Sequence, residues 1–475
     1  MSRSRDDAPP DRGADASLGP CPLVVMAKAP RPGQVKTRLA RAIGADAATA
    51  LARAALEDVW HAAHTLDGLA PVLAVAGDPA DLPPLRPAAT PLEQGEGDLG
   101  QRMARQLDRA IASAGRALMV GSDSPGVPPE LLDRARDLLE RHDAVLGPVL
   151  DGGFWLIGLR RLPPGLLEGL PWSAPDTLRA TLERFRQRGL DTAVLNPWFD
   201  LDRVEDVARL RVLLRHDVVR APHTAAALAG LTLADDLDEA PPRARVRHGL
   251  SVVIPTLDEA RRLPDRLREL LAMEGIGEVI VADGASRDGT ADIARAFPGV
   301  RCVDAPRGRA SQMNAGAAIA SGSVLLFLHA DVQLPPDAAR HIQTALASPR
   351  VVGGAFRTHH VPDGGRYRLG PLLRAADLRS RTTRLPYGDQ AIFVRTADFQ
   401  ALGGYAEIPL MEDLEFSRRL SARGRLRIVP AEVRVSGRRF EARPIYYTAL
   451  VNVFPLLYRA GVSPERLARL YRDTR

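Results

Sequence analysis

At 475 residues the chain exceeds one ordinary core, and a norm of about 100–200 residues per domain points to two. Hydrophobic residues at 45% and charged residues at 26% exclude a disordered or fibrous protein; a net charge of +6, scattered along helices with no interleaved aromatic platform, excludes a nucleic-acid groove. Cys21 and Cys302, one in each half, rule out a disulfide framework or a zinc cluster and fit a reducing cytoplasm.

Residues 1–20 are polar, lack an apolar signal core and read as a disordered tail. No run approaches 18 apolar residues, so no membrane span is expected. From Pro22 short apolar runs alternate with helical stretches: PLVVMAK, a helix through LARAALEDVWHAAHTL, PVLAVAG, a helix through QRMARQLDRAIASA, then RALMVGSD. Strands alternating with helices predict βαβ units and a mostly parallel sheet, and the absence of polar alternation within the strands fits a sheet covered on both faces. A first domain over 21–232 and a charged, proline-rich linker over 233–248 precede a restart of the pattern at 249–475: LSVVIPT, GEVIVADG, VRCV and SVLLFLHAD. The fold class expected is α/β, two tandem Rossmann-like domains, each with acidic residues at strand ends where such sheets bind ligands.

In the first domain MAKAPRPGQVKTRLA places Lys28, Arg31, Lys36 and Arg38 around a Pro/Gly turn suited to a triphosphate or sugar phosphate. The chain has 62 arginines but only two lysines, both in this stretch, which points to a place where a compact ammonium is required. Neither G-x-G-x-x-G nor the Walker pattern is present, so NAD and P-loop chemistry are not indicated. Asp123, in GSDSP at the end of ALMV, and the later pair Asp200 and Asp202 are candidate ligands for one Mg2+ between protein and phosphates. Any one of these aspartates also suits a helix cap.

In the second domain Pro255 and Thr256 end the first strand, Glu259 follows, and Asp283 ends the next strand ahead of a turn carrying Ser286, Asp288 and Gly289. Acidic groups at adjacent strand ends can accept hydrogen bonds from a ribose and a base, while Asp288 suits a helix N-cap equally well. Arg309, Gln312 and Asn314 open a helix where an anion could dock. His329 and Asp331 end VLLFLHAD as candidate metal ligands, Asp389 lies in YGDQ, and Glu412 and Asp413 head the helix LEFSRRLSARG. A carboxylate there can deprotonate an acceptor hydroxyl, and Asp413 is the candidate base; the alternative is that both acids only complement the helix dipole.

The ordered motifs VVIPTLDEA, VADGASRDGT, GRASQMNAGA, FLHAD, GDQAIF and MEDLEFSRRL resemble a family 2, GT-A fold glycosyltransferase over about residues 250–439. The resemblance implies a nucleotide-diphospho-sugar transferase that uses Mg2+ or Mn2+, inverts the sugar, binds nucleotide through Pro255, Glu259, Asp283 and Arg309, holds metal at Asp331 and uses Asp413 as base. His329 stands where that family usually carries an Asp. The first domain resembles a domain labelled a glycosyltransferase and associated with arsenosugar genes, itself similar to small nucleotidyltransferases of cofactor biosynthesis. Lys36 matches the lysine ending their glycine-rich loop, and the double glycine of that loop is missing here. The second domain also resembles the arsenosugar-associated type. The resulting expectation is an NDP-sugar donor, a small-molecule acceptor and two steps of one sugar pathway, with a lipid or carotenoid acid as alternative acceptor against the apolar segment IYYTALVNVFPLLYRAG and peripheral membrane contact. A catalytically silent, nucleotide-binding first domain is the other alternative.

Overall fold

A computed structural model describes residues 19–231, 249–361, 377, 385–436 and 453–472. Each lobe has its own sheet. In the N-terminal lobe seven strands, β1 (Cys21–Lys28), β2 (Leu69–Ala76), β3 (Leu92–Glu93), β4 (Ala117–Gly121), β5 (Ala144–Pro148), β6 (Phe154–Leu159) and β7 (Thr192–Val194), lie in the order β3-β2-β1-β4-β6-β5-β7. Helices α1 (Thr37–Ile43), α2 (Ala45–His64), α3 (Leu99–Ala114), α4 (Pro129–Arg141), α5 (Thr177–Gln187), α6 (Val204–Arg215) and α7 (Pro222–Ala229) belong to this lobe.

The C-terminal lobe repeats the plan. Strands β8 (Leu250–Thr256), β9 (Ile276–Asp283), β10 (Val300–Asp304), β11 (Val324–Phe327), β12 (Val332–Gln333), β13 (Val351–Val361), β14 (Ile392–Arg395) and β15 (Arg425–Ser436) lie in the order β10-β9-β8-β11-β14-β13-β15-β12. Apart from the added β12, the two orders are the same. The helices are α8 (Leu263–Ala272), α9 (Thr290–Ala296), α10 (Arg309–Ile319), α11 (Ala338–Leu346), α12 (Thr396–Ala401), α13 (Glu412–Arg423) and α14 (Pro464–Arg472).

The described residues are α/β in both lobes, as the pattern predicts, but both sheets are mixed. The strands β3-β2-β1-β4 and β10-β9-β8-β11 are parallel, whereas β6 and β14 run antiparallel to both neighbours. Strand β1 is buried along almost its whole length, and such a run reads the same in either direction. Helix starts and stops follow local chemistry. Asp98 and Gln101 form a reciprocal capping box at the head of α3, which ends at Gly115 in a left-handed conformation at φ 71.

The lobes share an apolar seam. Trp198 is fully buried and meets Phe297, after α9, edge to face at 6.2 Å. Arg134 on α4 pairs with Glu274 at 3.0 Å, and Arg268 on α8 donates to the Val218 carbonyl. Below this seam the His216 ring, at the end of α6, lies against Gly289, where an added Cβ would stand 2.3 Å from its Cε1. No helix among the described residues is long and apolar enough to cross a membrane.

Candidate functional site

Strand order reverses between β1 and β4 and again between β8 and β11, and open α/β sheets bind ligands at the carboxyl ends of strands at such a switch. Both lobes place acids there.

In the N-terminal lobe a cavity of about 610 Å³ is lined on one side by Lys36, Arg38, Asp123, Asp200 and Asp202, and on the other by Phe154, Trp155 and Trp172. Lys36 adopts a left-handed conformation at φ 48, and its side chain is only 3% exposed. Its Nζ lies 2.8 Å from Asp123 Oδ1 and 3.0 Å from Asp202 Oδ1. Asp200 accepts from the Ser124 hydroxyl, and burial raises its carboxyl to about 7, assisted by the neighbouring Asp123 charge and opposed by Ser124 and Lys36. For Lys36 the two carboxylates outweigh burial and hold the ammonium charged.

Not every expected cation reaches this cavity. Arg31 pairs instead with Asp78 and Asp81, and Lys28 donates to the Gln34 carbonyl at 2.9 Å; neither lines the cavity. Of the residues expected to hold a divalent ion here, Asp123 and Asp202 each give one oxygen to Lys36 Nζ, and Asp200 accepts from Ser124. Trp172 carried no sequence signal, since what brings it to the site is the fold of a loop far along the chain.

In the C-terminal lobe the nucleotide-side residues form a tight brace. Thr256, Asp283 and Gln312 are all buried. The Thr256 hydroxyl donates to Asp283 Oδ1 at 3.1 Å, and the Gln312 amide donates to the Ala282 carbonyl at 3.1 Å and to that of Thr256. Asp283 also accepts from the Ser286 amide and hydroxyl. Pro255 lies within the same strand end, and the Glu259 amide donates to Thr290 Oγ1 at 2.9 Å. Asp288 ties the turn together, accepting from the Ala260 and Thr290 amides and the Thr290 hydroxyl. Partial burial opposes its ionisation, but those hydrogen bonds win and hold the carboxyl below its ordinary value. Asp288 thus braces the turn ahead of α9, whose N-cap position is Gly289 rather than Asp288. Asn314, expected to face an anion, exchanges two hydrogen bonds with the Tyr405 backbone at 2.8 and 2.9 Å.

On the opposite side three segments converge. Gly388 donates its amide to Asp413 Oδ2 at 2.7 Å, and a Cβ on Gly388 would lie 3.0 Å from His329 Cε1. The second Asp413 oxygen accepts the Leu414 amide at 2.7 Å, so the carboxylate is fixed at the head of α13. Burial and the nearby Arg309 charge lower the His329 pKa, against the pull of Asp331, Asp389 and Asp413, so its ring is neutral at pH 7. Arg309 Nε lies 2.8 Å from buried Glu412, which makes Glu412 a partner for the guanidinium; burial pushes the Glu412 carboxyl up against that attraction.

Among the described residues no three His, Cys, Asp or Glu side chains group closely enough to hold a metal by themselves. Neutral His329 and carboxylate Asp331 are a donor pair that a hard or borderline divalent ion accepts when substrate phosphates complete its shell.

Both α/β lobes carry acids at their switch points, and the stretch that begins the C-terminal lobe matches a glycosyltransferase family model. Residues 251–401 match the model of glycosyl transferase family 2, and residues 59–174 match the model of an uncharacterized protein conserved in bacteria, DUF2064. The chain is similar to a PGL/p-HBAD biosynthesis glycosyltransferase of Mycobacterium bovis, 32% identical over 33% of this chain and 62% of that protein. It is also similar to an undecaprenyl-phosphate 4-deoxy-4-formamido-L-arabinose transferase of Sodalis glossinidius, 27% identical over 31% of this chain and 48% of that one. The chain thus spans less than two thirds of either relative. A solved structure from Desulfovibrio desulfuricans, described as a nucleotide-diphospho-sugar transferase, is 30% identical over 45% of this chain and 98% of its own, with a TM-score of 0.41. A Pyrobaculum calidifontis mannosyltransferase in complex with GDP-Man and Mn2+ is 19% identical over 55% of this chain and 78% of its own, with a TM-score of 0.33.

Proposed function

We propose that the C-terminal lobe transfers a sugar from an NDP-sugar to an acceptor hydroxyl with inversion, Asp413 taking the acceptor proton and an Mg2+ or Mn2+ ion sitting at Asp331 and His329. When bound, the ion neutralises the diphosphate leaving group. Pro255, Thr256, Glu259, Asp283 and Asp288 shape the nucleotide side, with Thr256, Gln312 and Asp288 acting as braces. Arg309, set by Glu412, supplies positive charge toward the phosphates. Asp389 flanks the base. As the acceptor oxygen attacks the anomeric carbon, the bond to the diphosphate breaks on the opposite face and the acceptor proton passes to Asp413.

The observation that carries this reading is the meeting of His329, Gly388 and Asp413 across the strand ends from Asp283. The N-terminal lobe, residues 21–232, binds or makes the nucleotide sugar through its Lys36 cavity, and the acceptor is a small molecule of a sugar pathway such as arsenosugar synthesis. The test is mass spectrometry of products from the full chain offered a panel of NDP-sugars and acceptors. Asp413→Asn is expected to lose about 10²–10⁴-fold in turnover, and retained turnover removes the base assignment. Pyrophosphate released by that same variant from NTP and sugar phosphate would mark the N-terminal lobe as catalytic; its absence favours a silent binding lobe.

A lipid-linked acceptor is the second reading. Val453, Leu456 and Leu470 are exposed at 45%, 62% and 55%, and residues 453–461 carry the described end of the apolar segment expected to face such an acceptor. Its residues 445–452 lie outside the described residues. The names of the curated relatives point the same way. Co-sedimentation of the full chain with lipid vesicles distinguishes the two readings.

A further inference from the structure

The two acidic tips differ in what already sits between their oxygens. Asp123, just beyond β4, and Asp202, just before α6, both turn an oxygen toward Lys36 Nζ, at 2.8 and 3.0 Å. The Lys36 side chain is 3% exposed beneath carboxylates that are 50% and 39% exposed. The ammonium therefore lies under the carboxylates rather than reaching over them from solvent. A non-glycine residue at φ 48 pays for that placement in backbone strain, and strain of this kind concentrates where a side chain must be aimed.

An ammonium is compact and carries three donors, so it can serve two carboxylates and keep one N–H for a ligand oxygen; a planar guanidinium cannot nest in the same gap. This accounts for a lysine here in a chain that otherwise uses arginine almost throughout. A divalent ion placed between the same oxygens would need them at about 2.0–2.6 Å and would face the buried positive charge directly. Arg38, Arg203 and Asp151 also line the cavity, together with the partly exposed rings of Phe154 and Trp172.

We propose that Lys36 is the resident cation of the N-terminal cavity, so that this lobe takes an oxygen-rich, phosphorylated ligand without a divalent metal while the C-terminal lobe uses one. The class of ligand rests on the nucleotide-sugar reading above; the exclusion of metal rests on the Lys36 geometry alone.

The test uses Mn2+ alone as probe, counted by electron paramagnetic resonance on the full chain carrying Asp331→Asn. Adding Lys36→Met in that background is expected to create one new Mn2+ site per chain, at least tenfold tighter than any binding before it, and adding Asp123→Asn as well is expected to abolish it. With Lys36 intact, Asp123→Asn is expected to leave Mn2+ binding unchanged. Two results overturn the proposal: a Mn2+ site that Asp123→Asn removes while Lys36 is present, or a folded Lys36→Met protein that gains none. If Lys36→Met does not fold, the Asp123→Asn comparison with Lys36 in place decides alone. Failure of the C-terminal metal reading is seen separately, as equal Mn2+ binding by the natural chain and Asp331→Asn.

Discussion

The two lobes arrange their strands in the same order yet finish their acidic tips in opposite ways. At the N-terminal tip a buried ammonium closes the gap between Asp123 and Asp202. At the C-terminal tip Arg309 pairs with Glu412, and burial with the Arg309 charge lowers the His329 pKa. A shared topology thus fixes where acidic groups gather, while a few side chains decide what partners them.

The largest effect that separates the lobes is expected from Asp331→Asn. Transfer should fall by about 10²–10³-fold, the loss of several kcal/mol of leaving-group stabilisation, and the residual rate should no longer respond to Mn2+. Undiminished turnover in the presence of a chelator would break the contrast between the tips. A smaller effect is expected where the lobes touch. Gly289 sits at φ 92, and alanine there costs about 1–2 kcal/mol in backbone strain before its Cβ meets the His216 ring. Gly289→Ala should lower the melting temperature and weaken UDP binding by calorimetry, and His216→Ala in the same chain should restore part of both; no rescue would mean that the contact is idle.

The smallest effect concerns Asp200. Its carboxyl is raised to about 7, so the folded chain holds that proton more tightly than the unfolded chain and loses stability as pH rises from about 4 through 7. Asp200→Asn removes the dependence. Relative to the natural chain its melting temperature should gain about 2–4 °C at pH 8 and little at pH 4, and an equal gain at both would reject burial as the cause.

Much of this was legible in the residues. Unbroken apolar runs such as PLVVMAK mark strands covered on both faces, and their restart at Leu250 marks the second lobe. The direction of β6 and β14 was not legible, because a strand buried on both sides carries no polar face to orient it. The acids at strand ends are visible as candidates, and the family resemblance singles out Asp413 and Asp331 among them. What sequence left hidden was which polar groups the fold consumes. Gln312 and Asn314 look free to bind an anion until backbone carbonyls from other segments claim them. Lys36 finds Asp202 across 166 positions of chain, a pairing that only the closed sheet creates.

The helix between the cavity and the seam has a consequence for how the fusion came to be kept. Asp206, in the first turn of α6, accepts the amides of Asp202 and Arg203 at 3.1 and 2.8 Å, and the ring that follows the last turn rests on the bend below Asp283. Separately translated halves would each expose an apolar scar at Trp198 or Phe297 and would have to find one another again in solution. Covalent attachment makes that encounter intramolecular.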